Sequence, residues 1–307
     1  MKAPGDVVGK APPLTLIRRQ AAPVERDHDR APRGTAKRPR RRANALRVGA
    51  LAVLLLCLAG CSPNDTFTRM GFPNPITKEG AITLSLWQGS WIAGLLVGAV
   101  VWGMILWAVI FHRKRGDKLP PQVRYNMPIE ILYTVVPFVL IAVLFYYTAK
   151  DENTIDAIPA NPQVVVDVVG FQWTWQFSYA VNGHPSGVTT DGYMWNPQLT
   201  DAQNQNALPL LEIPVGEPVN FNLMSPDVIH AFWVPEFLFK RDVLPGHPNH
   251  FSITATKTGT YIGHCSELCG LYHSRMLFTL KIVTPAQFKT WIAQEQASQK
   301  TVSGSTQ

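Results

Sequence analysis

Four side chains with metal-binding chemistry fall within twelve residues: Cys265, Cys269, His273 and Met276, spaced C-x3-C-x3-H-x2-M. Thiolate and thioether sulfur are soft ligands, and imidazole suits copper. One Cys with a His and a Met would describe a single-copper site. Two thiolates can each bridge two metal ions, so this loop points to a compact binuclear centre whose second His comes from elsewhere in the chain. Two other outcomes compete on Cys spacing alone. One is a small Cys265–Cys269 disulfide, common outside the cytosol. The other is a Cys2His2 zinc site. The Met and a remote His must break the tie.

His230, in Asp227-Val228-Ile229-His230, lies thirty-five residues before Cys265 and is the natural remote ligand. His264 abuts Cys265, and neighbouring side chains on an extended segment point to opposite faces. It suits a supporting role behind the ligands. His247 and His250 sit among Gly246, Pro248 and Asn249, as in an exposed turn.

These residues need elements to hold them, and the chain's charge divides it first. The net charge of +7 belongs to one end. Residues 1–47 carry thirteen Lys/Arg against four Asp/Glu, whereas residues 48–307 carry fifteen against seventeen. The remainder has no basic excess, so nucleic-acid binding is not expected. The leader is rich in Arg, Pro and Ala without apolar periodicity and reads as disordered. Its last basic cluster, Lys37 to Arg42, precedes the eleven-residue apolar run Val48–Leu58. That run is too short to span a bilayer and fits the core of a signal peptide. Leu58-Ala59-Gly60-Cys61 follows, similar to a bacterial lipoprotein signal with cleavage before Cys61 and lipid on its thiol. The alternative is a plain signal anchor with an incidental Cys.

Residues 61–81 read as a polar, Pro-containing linker. From Ile82 to Phe111 there is no charged residue, with Trp87 and Trp91 near one end and His112-Arg113-Lys114-Arg115 at the other. About 20 apolar residues cross a hydrocarbon core, so a membrane helix is expected at about 82–111. Met127–Thr148, charged only at Glu130, predicts a second at about 127–149, completing a hairpin within 82–150. Arg113, Lys114, Arg115, Lys118 and Arg124 place the connecting loop inside. Both ends of the hairpin, and Cys61, then lie outside.

From Asn153 onward the composition changes. Gln163–Val169, Leu210–Ile213, Val219–Met224, Phe251–Thr256, Thr260–His264 and Met276–Val283 read as strands between Pro, Gly and Asn turns. An all-β extracytoplasmic domain over 151–297 is expected, a sandwich or Greek-key barrel. Ala180–Ala207 reads as an inserted loop. Thr284-Pro285 opens a short helix, and 298–307 reads as a frayed tail.

The hairpin, the β domain and the run Cys-Ser-Glu-Leu-Cys-Gly-Leu-Tyr-His-Ser-Arg-Met together resemble subunit II of haem–copper cytochrome c oxidase, over residues 75–297. The lipoprotein-type signal and His230-Ala-Phe-Trp-Val-Pro-Glu-Phe-Leu-Phe-Lys-Arg-Asp resemble its actinobacterial branch. The resemblance implies a membrane-anchored two-helix transmembrane hairpin followed by an all-β cupredoxin-like Greek-key sandwich. It implies a binuclear copper A centre bridged by Cys265 and Cys269. His230 and His273 would each cap one copper, with Met276 and the Glu267 backbone carbonyl as weak axial ligands. The Glu267 carboxylate, with Asp242 nearby, would face a Mg or Mn ion shared with subunit I, where hard oxygen ligands suit.

Gly170-Phe-Gln-Trp-Thr-Trp-Gln-Phe177 is similar to the family's aromatic stretch, with Trp173 where electrons enter from cytochrome c. Trp175 and Phe177 read as core. Glu130, with Thr134 and Pro137, is similar to a helix-start pattern whose Glu marks the entrance of a proton channel in subunit I. The alternative for Glu130 is interfacial snorkelling. The implied activity is electron relay to haem in subunit I, where oxygen becomes water and protons are pumped. Implied partners are oxidase subunits I and III, and cytochrome c or a membrane-bound c-type haem protein, including a cytochrome bc1 supercomplex, with membrane lipid around the helices. Haem belongs to the partner subunit only. The implied location is a bacterial cell membrane, multi-pass, with the β domain and both mature chain ends extracytoplasmic. Pro226 departs from relatives that use soluble cytochrome c and often carry an acid there. Electrostatic steering of the donor is therefore expected to be weak.

Three rivals carry less. A copper chaperone needs an open, exchangeable site, whereas five side-chain ligands from two segments make a closed one. A quinol oxidase subunit keeps the fold but lacks the ligands. A nitrous-oxide-reductase-type enzyme shares the loop but needs a second His-rich cluster, which eight His in all do not supply.

Overall fold

The computed structural model describes residues 66–114, 116 and 121–304. The leader 1–60, Cys61 with its expected lipid, and the loop cations Arg115 and Lys118 lie outside the described residues.

Helix α1 (Lys78–Phe111) starts at Thr77, whose side chain accepts the Gly80 N–H at 2.9 Å, with Glu79 in the first turn. Helix α2 (Met127–Ile155) starts at Asn126, whose side chain accepts the Ile129 N–H. The Glu130 carboxylate accepts the Asn126 N–H at 3.0 Å, so both side chains satisfy backbone N–H groups at this helix end. Both helices are long and apolar enough to cross a bilayer. Each overshoots the expected span. Lys78–Ala81 extends α1 upstream of residue 82, and α2 runs past 149 to Ile155. Charge-based reading ends a helix where polar residues begin, but a capped helix continues above the membrane.

The remainder is two five-stranded sheets. Sheet one runs β3 (His184–Thr190), β2 (Thr174–Val181), β1 (Val164–Phe171), β5 (Pro218–Met224), β8 (Asn249–Thr254). Sheet two runs β4 (Leu210–Pro214), β10 (Leu277–Val283), β9 (Gly259–Cys265), β6 (His230–Val234), β7 (Phe239–Val243). The β1–β5 and β4–β10 pairs are parallel, the rest antiparallel. Period-2 alternation turns Val164, Val166, Val168, Trp175, Phe177, Phe221 and Leu223 inward from sheet one, against Leu211, Ile213, Phe232, Phe278 and Leu280 from sheet two. Phe232 sits at the middle, its ring near those of Trp175, Phe221, Phe251 and Phe278.

Several segments differ from the sequence expectations. The inserted loop 180–207 contains β3 and a short helix α3 (Asp201–Ala207), whose capping box joins Thr200 and Gln203. The end of the expected linker 61–81 is packed: Ile76 is buried, Thr77 bridges Ala255, and Glu79 accepts the Thr254 N–H at 3.0 Å. The expected tail from 298 instead continues helix α4 (Pro285–Gly304). Its Gln296 and Gln299 side chains bond the β3 backbone, and Gln299 both accepts from Thr189 N and donates to Thr189 O. Polar side chains hold what apolar periodicity did not signal. His250 lies on β8 rather than in a turn, though exposed.

Candidate metal centre

His230, Cys265, His273 and Met276 stand at element boundaries, and Cys269 lies in the loop between them. His230 opens β6 and Cys265 closes β9, one strand away; the pairing of Phe232 with Cys265 sets their separation. Ser266 N donates to Ala231 O, fixing the loop's first residue to β6. Cys265 N donates to Met276 O at 3.0 Å, closing the loop, and a 3-10 turn at His273–Arg275 brings the last two ligands back. Gly263 is required beneath: a Cβ there would sit 1.9 Å from the Phe278 ring.

The side chains converge. The two Sγ atoms lie 3.8 Å apart, and both thiols are free. His230 Nδ1 is 3.8 Å from Cys265 Sγ, and His273 Nδ1 is 3.6 Å from Cys269 Sγ. Met276 Sδ is 3.8 Å from Cys269 Sγ, and Glu267 O is 3.2 Å from Cys265 Sγ. One imidazole thus serves each sulfur, with the thioether on one side and a carbonyl on the other. The ligand atoms of His230, Cys265 and Cys269 all lie within 4.8 Å of one another, forming the one such group of three or more His, Cys, Asp or Glu among the described residues. His230 and Met276 are fully buried. Soft sulfur, two imidazoles and exclusion of water fit copper.

Electrostatics prepare the site for cations. Burial alone would raise the Cys265 thiol, but bonds from His230, Ala231 N–H and the loop outweigh it and hold it at about 7. Burial first, then the neighbouring Cys265 thiolate, push Cys269 up to about 12. The pair shares its titration. Burial would lower His230, yet its bonds to Cys265 and Asp227 raise it.

Asp227 and Gln172 are the residues that sequence reasoning passed over. Asp227 Oδ1 accepts from His230 Nε2 at 2.9 Å, leaving Nδ1 turned to the sulfur. Asp227 Oδ2 accepts the Gln172 N–H at 2.7 Å, and Gln172 Nε2 donates to Cys269 O at 2.8 Å. Burial opposes ionisation of Asp227, but its donors win and lower its pKa. The signal available was an Asp three residues before the remote His.

Trp173 is half-buried over the loop, its Nε1 donating to Cys269 O at 3.3 Å and its ring edge-on to Tyr272 at 4.9 Å. Trp175 and Phe177 are core. His264 faces away, its ring beside Trp233. His247 is exposed. Asp242, on β7, pairs with Ala231, whose carbonyl also accepts the Ser266 N–H, one residue before Glu267. Neither belongs to a cluster of three or more ligand atoms among the described residues. Glu130 lies at the start of α2, far along the chain from the metal loop.

Residues 164–283 match the family described as cytochrome c oxidase subunit II, periplasmic domain. A probable cytochrome c oxidase subunit 2 of Streptomyces avermitilis is 45% identical over 286 residues, covering 84% of this chain and 89% of that one. The cytochrome c oxidase subunit 2 of Mycobacterium tuberculosis is 38% identical over 306 residues, covering 85% and 83%. Among solved structures, the periplasmic domain of subunit II of cytochrome oxidase from Bradyrhizobium japonicum is 30% identical. It covers 46% of this chain and 99% of that domain, with a TM-score of 0.40.

Proposed function

Since this chain belongs to the cytochrome c oxidase subunit II family, we propose that it takes electrons from a c-type haem at a binuclear copper A centre and passes them to haem in subunit I. The observation that carries this reading is the convergence of two free thiols, two imidazoles and a thioether with sulfur–ligand distances of 3.6–3.8 Å. The thiols of Cys265 and Cys269, the imidazoles of His230 and His273, the Met276 thioether and the Glu267 carbonyl would hold the metal pair. When bound, the copper pair supplies a one-electron relay. The chain's own residues make that relay stiff: Asp227 locks one imidazole, the Cys265–Met276 backbone bond closes the loop, and the aromatic core keeps water out.

Trp173 is where we place the incoming electron, because its ring joins half-exposed surface to the Cys269 carbonyl. We assign the Glu267 carboxylate, with Asp242, to a Mg or Mn ion shared with subunit I, and Glu130 to the entrance of a proton channel in that subunit. The Glu130–Asn126 cap is compatible with this role, since it holds the carboxylate at the helix start. Oxygen reduction and proton pumping belong to the partner subunit. We further propose that the connecting loop faces the cytoplasm, that the β domain and both mature ends lie outside, and that Cys61 carries lipid. The Pro226 departure supports a donor held nearby in a supercomplex rather than one steered by charge.

The test is metal loading of the purified, thiol-reduced full-length chain with one Cu(I) and one Cu(II) per site, after the reductant is removed. A purple protein with two copper ions per chain and a mixed-valence electron resonance signal is the expected result. A colourless protein with a Cys265–Cys269 disulfide overturns it.

A further inference from the structure

The segment just before α1 folds back along the helix instead of leading away from it. Met70 N donates to Phe67 O, Gly71 N to Thr66 O and Phe72 N to Arg69 O, closing a compact turn. Arg69 tightens it, with Nε donating to Phe72 O at 3.0 Å and Nη2 to Thr66 Oγ1 at 3.3 Å. The Phe72 ring then stacks on Trp87 at 4.8 Å and 9°, and Trp87 meets Trp91 edge-on at 5.7 Å. Gln88 Nε2 donates to Thr68 O at 2.8 Å. A segment ten residues upstream of the helix start is therefore fastened ten residues into the helix.

That level is the outer membrane boundary. About 20 helical residues fill a hydrocarbon core. Counted back from Phe111, they end at Trp91; counted forward from Met127, they end at Tyr146 and Tyr147. The two aromatic sets agree on one boundary. At about 1.5 Å per residue, Trp87 stands one turn above it, in the headgroup layer. The turn that packs there is closed by three backbone bonds of its own and tied to the helix through Thr68 O, yet it leaves Phe67 72% exposed. An exposed phenyl ring on a turn fastened through Phe72 to the Trp87–Trp91 pair, with the Arg69 guanidinium two residues away, has the chemistry of a membrane-interface anchor.

We propose that Thr66–Phe72 is a membrane-surface element that lays Phe67 into the outer lipid interface. It thereby holds the chain upstream of Thr66 at bilayer level. Cys61 is five residues away, within about 17 Å at full extension, so lipid on its thiol would enter the membrane beside α1. This rests on the outside orientation of the α1 N-terminus proposed above.

Spin labelling of the assembled oxidase in phosphatidylcholine–phosphatidylglycerol vesicles tests it. Phe67→Cys receives an apolar nitroxide that replaces the phenyl ring, with Phe138→Cys in mid-helix and Tyr193→Cys on the β domain as references. Collision with oxygen reports lipid, and collision with a water-soluble nickel complex reports solvent. The expected result is an oxygen-to-nickel ratio for residue 67 several-fold above that of residue 193 and below that of residue 138. A ratio equal to that of residue 193, with residue 138 still shielded from nickel, overturns the anchor and leaves the topology standing. Shielding of residue 67 from both reagents means a protein subunit covers it, and also overturns the proposal. Nickel reaching residue 138 would instead sink the topology itself.

Discussion

Asp227→Ala should loosen the copper site without touching a ligand. Asp227 Oδ1 accepts from His230 Nε2 at 2.9 Å, Val228 N at 2.6 Å and Ser225 Oγ at 3.0 Å, while Oδ2 accepts from Gln172 N at 2.7 Å. Truncation leaves the Nε2–H of a fully buried imidazole without its acceptor. An orphaned buried donor costs about 1–3 kcal/mol. In the metal-free chain His230 can tilt to relieve that cost, because only the Cys265 sulfur restrains Nδ1. Copper on Nδ1 would forbid the tilt, so the cost falls mainly on the loaded state. At about 1.4 kcal/mol per decade, the expected loss is about 10- to 100-fold in copper affinity, as for other partners behind metal-bound imidazoles. Asp227→Asn keeps an oxygen for His230 but sets an amide N–H2 against the Gln172 N–H, so a smaller loss is expected. The assay is chelator competition on the full-length chain, followed by visible absorption. An Asp227→Ala affinity within a factor of about three of wild type, outside the range expected for such partners, would refute the positioning role.

Trp173→Ala is expected to leave the copper absorption intact and remove most of the rate of reduction by the donor; unchanged stopped-flow kinetics would take Trp173 off the path. Gly263→Ala forces a Cβ to 1.9 Å from Phe278 and should cost about 1–3 kcal/mol or more. Thermal unfolding several degrees lower is the expected outcome, and an unchanged Tm counts against it. Copper uptake should depend on pH in a defined direction. Cys265 sits at about 7 and gains a proton as pH falls through neutrality, while the raised His230 takes up its proton at higher pH than a free imidazole, and copper must displace both. Affinity in competition titrations should therefore drop steeply between pH 7.5 and 6 and vary less above; equal affinity at both ends would contradict the coupling.

The ligand loop was legible because its chemistry is local: Cys265, Cys269, His273 and Met276 declare themselves by type and spacing. His230 needed a spatial argument, which the Phe232–Cys265 pairing now supplies. Asp227 offered only its place three residues before His230, and Gln172 offered nothing, since its bonds to Asp227 and Cys269 run across fifty-five and ninety-seven residues of chain. Strands β2, β6 and β7 were hidden for a related reason. Thr174–Val181 reads as an aromatic motif and His230–Val234 as a ligand motif before either reads as a strand. Segments held by side-chain amides, such as β3 against Gln299 or Thr66–Phe72 against Gln88, carry no hydrophobic period to find.

The sheet margins have a consequence for assembly. Each edge strand gives backbone groups to a side chain or segment of this same chain. β3 is laddered by the Gln299 amide, and β8 by Glu79 and the Thr77–Ala255 bridge. On β4, Leu210 O accepts from Thr190 Oγ1 and Glu212 N donates to Tyr179 Oη, while on β7 Asp242 O accepts from Asn249 Nδ2. Unpaired edges invite strand addition, whether productive or aggregating. Here some backbone groups on each of the four margins are already engaged. A partner strand arriving at these margins would have to displace bonds that the chain already makes to itself.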